Sequence, residues 1–142
     1  MNPGILHWIK NKLVIKERNI LDLIVETTAW KQMIQQFEND NIYFKTRLAS
    51  VLSVGRHDLP LEQFEHFQNR FLKMDGQITL LKHEVRQQLE QLQLTANVQD
   101  NVEDLSLLLQ SQLGKRIDLL EQQFELLLHD FSSYIDTHFP EL

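Results

Sequence analysis

Apolar positions recur at steps of three and four along almost the whole chain. The first stripe runs Leu6, Ile9, Leu13, Lys16, Ile20, Leu23, Thr27, Trp30, Ile34, Phe37, Asn41, Phe44, Leu48 and Val51. That alternation marks the buried face of a helix, and only Lys16, Thr27 and Asn41 in it are polar. Asn2 with Pro3 can start the helix, and Gly55 can end it near Val54. Asn19 followed by Asp22 is a second candidate cap, which would break the helix near residues 16–19. The second stripe runs Phe64, Phe67, Phe71, Met74, Ile78, Leu81, Val85, Gln88 and Leu92, with Leu89 beside its one polar position. Gly55 and Pro60 punctuate the link between the two. The third runs Val102, Leu105, Leu109, Leu113, Ile117, Leu120, Phe124, Leu127, Phe131, Ile135 and Phe139. It takes two steps of four around Leu113, where Gly114 predicts a local unwinding. Asp100 and Glu103 have capping-box spacing at its start.

These stripes predict an all-α, antiparallel up-down-up bundle of three long helices with coiled-coil-like packing. The expected boundaries are an amphipathic segment over residues 1–18, then helices over 19–54, 60–94 and 97–139. Whether residues 1–18 continue the first helix or form a separate short helix stays open at this point. Pairing across the first turn matches positions whose numbers add to about 115. Val51 then faces Phe64, Leu48 faces Phe67, Phe44 faces Phe71 and Trp30 faces Val85. Thr27 meets Gln88, giving a polar layer of the kind that fixes register. The eight phenylalanines fall in the last half of the first helix, the first half of the second and the last half of the third. All eight should therefore gather at one end.

The same pairing leaves the start of the chain without a partner. As one helix, residues 2–18 would project roughly 25 Å beyond the hairpin at 1.5 Å per residue. Yet the segment carries Ile5, Leu6, Trp8, Ile9 and Leu13, accompanied by Lys10, Lys12 and Lys16. Uncovered apolar surface of that size points to a partner. These eight residues are the candidate binding positions for a second copy or another protein. A membrane surface is the alternative, with Trp8 on one face and lysines on the other.

Composition removes most other chemistry. The 142 residues include no cysteine, so no disulfide, thiol nucleophile or Cys-ligated metal site exists. A formal charge of −6 disfavours nucleic acid as a partner. The charge is uneven. Residues 1–56 carry eight Lys/Arg and five Asp/Glu, whereas residues 57–142 carry six and fifteen. Acids such as Asp118, Glu121 and Glu125 can thus meet the N-terminal lysines of another chain. No apolar run reaches the ~20 residues that span a bilayer. The residues around Met1 lack the basic start and small-residue cleavage site of a secretory leader, so a cytoplasmic protein is expected.

No phosphate-binding glycine loop, nucleophile elbow or cofactor motif occurs, so no cofactor or small-molecule substrate is assigned. None of the spacings His-x-x-x-His, His-x-x-x-Glu or Glu-x-x-His occurs among the six histidines; His66 with Glu62 and Glu65 reads as a solvated face. The stretch Lys82-His83-Glu84-Val85-Arg86-Gln87-Gln88-Leu89 resembles the phospho-acceptor box of sensor histidine kinases over eight residues, without the proline common there. That resemblance implies a histidine phosphotransfer bundle with an exposed His83. The leading expectation remains a non-enzymatic interaction module that self-associates or docks a partner through residues 1–18.

Overall fold

The computed structural model describes residues 18–54, 61–98 and 103–140. They form three long helices: α1 (Ile20–Ser53), α2 (Leu61–Val98) and α3 (Asp104–His138). No strand occurs among them.

Helix α1 starts where Asn19 caps it. The Asn19 backbone is extended (φ −88°, ψ 166°), and its side chain accepts the Asp22 N–H at 2.8 Å. Non-helical dihedrals at that position mean the stripe from Leu6 to Val51 is not one uninterrupted helix. Helix α2 outlasts its expected end near Leu94. Leu92 is buried with Ile20, Leu23 and Leu107, and Ala96 packs against the same small cluster. That contact keeps the last turns of α2 in place. Helix α3 begins later than expected, with Glu103 itself at the N-cap and no side-chain cap bond. Glu103 therefore does not occupy the third position of a capping box, and Asp100 lies outside the described residues. At the far end the Phe139 N–H donates to Ile135 O at 2.8 Å, and Pro140 follows.

Every expected apolar stripe position of α2 is buried, as are Ile20, Leu23, Ile34, Leu48 and Val51 of α1. Trp30, Phe37 and Phe44 are partly buried against that core. The stripe of α3 holds from Leu113 onward but fails before it. Leu105 is 73% exposed and Leu109 38%, while Leu107 and Gln110 are buried. Between Leu107 and Leu113 the buried face advances in two steps of three, not two of four.

The order of contacts gives the path. Between α1 and α2, Glu38 pairs with Lys82 and Lys45 with Asp75. Between α2 and α3, Gln88 bonds Gln110, Arg70 pairs with Asp130, and Phe67 packs on Phe131. In both seams one number rises as the other falls, as in antiparallel neighbours. Between α1 and α3 they rise together, from Thr27 with Gln110 to Phe44 with Phe131. This is the order of an up-down-up bundle, and α1 approaches α3 less closely than α2 approaches either.

The phenylalanines gather at one end as expected. Phe131, fully buried, meets the rings of Phe44, Phe67 and Phe71 edge-on at 6.2, 5.4 and 5.2 Å between centroids. Phe37 meets Phe124 at 5.8 Å, and Phe64 meets Phe139 at 6.4 Å. Edge-to-face geometry sets the positive rim of one ring against the negative face of the next.

Candidate interaction surfaces

The polar layer comes from three helices. Thr27, Gln88 and Gln110 are all within 2% of complete burial. Gln110 ties them together. Its Oε1 accepts from Gln88 Nε2 at 2.9 Å, and its Nε2 donates to Thr27 Oγ1 and to Glu26 Oε1, each at 2.9 Å. Gln88 Nε2 also donates to Ser106 O at 3.1 Å, and Thr27 Oγ1 donates to Leu23 O at 2.7 Å. A buried polar group left unpaired costs about 1–3 kcal/mol, so this closed set holds three helices in one register. Pairing across the first turn predicts the Thr27–Gln88 level but not Gln110, the group that joins them.

Beside this layer α1 and α3 leave a groove of about 360 Å³. Arg18, Glu26 and Trp30 line one side, Gly114, Lys115 and Asp118 the other. Within this lining Arg18 pairs with Glu26 at 2.9 Å. Trp30 is expected opposite Val85; its indole lies over Gly114, where an added Cβ would sit 3.3 Å from Cζ2. Gly114 thus makes room for Trp30. Gly76, by contrast, has nothing within 4 Å of the place a Cβ would take.

Asp118, Glu121 and Glu125 follow one another at steps of three and four on α3, and so share a face. Asp118 lies at the groove, Glu121 is half-buried and Glu125 exposed. The binding positions Ile5, Leu6, Trp8, Ile9, Lys10, Lys12, Leu13 and Lys16 lie outside the described residues.

A second polar site bridges α1 and α2. Asn41, fully buried, donates through Nδ2 to Phe71 O at 3.2 Å and to Asp75 Oδ1 at 2.5 Å, while Lys45 pairs with Asp75 Oδ2 at 2.6 Å. Asn41 Oδ1 and the Tyr134 hydroxyl are buried without a hydrogen-bond partner. Burial pushes the Tyr134 pKa above its ordinary value of 10.0.

His83 is exposed, as the phospho-acceptor resemblance implies. Its neighbours are engaged elsewhere: Lys82 with Glu38 at 3.1 Å and Glu84 with Arg116. Among the described residues no three His, Asp or Glu side chains gather as a metal site. Nor is any helix among them long and apolar enough to cross a membrane. No family model matches the chain, and comparison with curated proteins and with solved structures finds no match either.

Proposed function

We propose that the chain is a non-enzymatic assembly module that associates with further copies of itself through its amphipathic residues 1–18. The observation that carries this reading is the side between α1 and α3. There α1 and α3 approach each other less closely than α2 approaches either, the groove is lined by Glu26 and Asp118 beside Arg18 and Lys115, and Glu121 and Glu125 continue the acidic row along α3 from Asp118. Lys10, Lys12 and Lys16 complement the three acids in charge, and Leu23, Trp30 and Leu107 offer the apolar side of the segment a surface in the groove. The extended backbone of Asn19 supports the reading too, because α1 begins there.

Reversing Lys10, Lys12 and Lys16 to Glu in the full chain tests it. The solution mass should fall toward that of one chain, and the association of the unaltered chain should weaken as salt rises. Association unchanged by the reversal would contradict the role given to these lysines.

A further inference from the structure

The groove between α1 and α3 begins where the segment proposed to associate ends. Arg18 is the last residue of that segment and the one of its residues that the structure describes. It lines the groove and pairs with Glu26 of its own chain at 2.9 Å. The same Glu26 Oε1 accepts from Gln110 Nε2 at 2.9 Å, so Arg18 is fastened to the buried layer that joins the three helices. The lining runs along α1 from Arg18 to Trp30 and along α3 from Leu107 to Asp118. That is ~18 Å of helix at 1.5 Å per residue. The residues before Arg18 extend ~25 Å even at that rise, enough to cover the groove. Trp30 packs against the core but is only partly buried, so ring surface is left to cover.

We infer that residues 1–17 seat in the groove of their own chain, and that copies assemble by exchanging them, each segment passing into the other's groove. The inference rests on the assembly role proposed above and adds what holds that role in check. A segment tethered at the rim of a groove faces it at an effective concentration on the order of millimolar. A segment from another copy makes the same contacts without that advantage. Dilute chains are therefore closed on themselves. Assembly needs both segments to leave their seats, and the reciprocal exchange closes at two copies.

The test follows Trp30 in the full chain with Trp8→Phe, which leaves it as the single tryptophan. Acrylamide quenching of Trp30 should stay constant as the chain is diluted from two copies to one, judged by sedimentation equilibrium. Adding Ile9→Asp and Leu13→Asp should raise the quenching at least twofold while cooperative thermal unfolding is retained. A second measurement uses the absence of cysteine: Asn11→Cys with Ser111→Cys adds one pair to the full chain. Oxidised as single copies, the pair should crosslink within one chain. The locked chain should then assemble at least tenfold more weakly than the same chain reduced. Quenching that rises on dilution, or that Ile9→Asp and Leu13→Asp leave unchanged, overturns the inference. So do crosslinks that form only between chains, a locked chain that assembles as well as the reduced one, and a chain that never dissociates. Assembly with Trp30 bared on dilution refutes the seat alone. One copy at every concentration, with Trp30 shielded and the crosslink formed, refutes assembly and upholds the seat.

Discussion

The two ends of the bundle are held by different means. At one end, Phe131 and its neighbours fill the space between three helices with rings, and shape alone is specified. At the other, Gln110, Gln88 and Thr27 spend three buried positions on hydrogen bonds between helices. An apolar layer tolerates a slip of one helix past another by exchanging one side chain for a similar one. A bonded amide layer does not, because a slip leaves donors and acceptors unpaired in a dry interior. The aromatic end supplies stability, then, and the polar end supplies register.

Five substitutions break or sharpen that contrast. The largest effect belongs to the aromatic end. Phe131→Ala should cost about 3–5 kcal/mol in chemical denaturation, because it removes a fully buried ring and leaves a cavity between helices. Gln110→Leu comes next, at about 1–3 kcal/mol. It removes one of the two acceptors of Gln88 Nε2 and the donor to Thr27 Oγ1, leaving each with one bond fewer in a dry interior, and it should broaden amide signals in α1 and α3 where the Phe131 variant does not.

A smaller effect of opposite sign is expected from Tyr134→Phe. Deleting a hydroxyl that is buried without a partner should stabilise the fold by about 1 kcal/mol. Tyr134 also makes stability fall at alkaline pH. Its folded pKa lies above the unfolded value of 10.0, so its neutral form is favoured by folding, and that contribution is lost as pH rises from about 10 through the raised value. The phenylalanine variant should lose this part of the alkaline decline in a pH series of melts. Least of all is the difference between the two helical glycines. Gly76→Ala should stabilise by up to ~1 kcal/mol, since open space surrounds the new methyl. Gly114→Ala should gain less, because its methyl presses on the Trp30 ring. Equal gains would mean that Trp30 yields freely.

Much of the fold was legible in the sequence because period is a local signal. The buried faces of α1 and α2 follow from spacing alone, and the gathering of the phenylalanines follows from helix order. The start of α3 was not legible. Leu105, Leu107, Leu108 and Leu109 put apolar side chains on every face of one turn, so spacing could not choose among them. A reader of hydropathy prefers Leu109 to Gln110. The fold prefers Gln110, because Gln88 and Thr27 arrive at that level needing partners. The end of α2 was hidden for a related reason, since its last turns are held by Ile20 and Leu107 from other helices. Ion pairs such as Arg70–Asp130 and Arg116–Glu84, which lace the outer seam, depend on the rotation of both helices about their axes. No single stripe carries that rotation. The proposed site was legible as composition, in the apolar and basic residues of 1–18 and the acids Asp118, Glu121 and Glu125, whereas the groove beside Asp118 needed α1 and α3 assembled.

The most direct measurement is the solution mass by light scattering of the full chain and of a chain that starts at Asn19. The full chain should be heavier than one copy, and the shortened chain should hold fewer copies. Equal numbers of copies in the two would contradict assembly through residues 1–18.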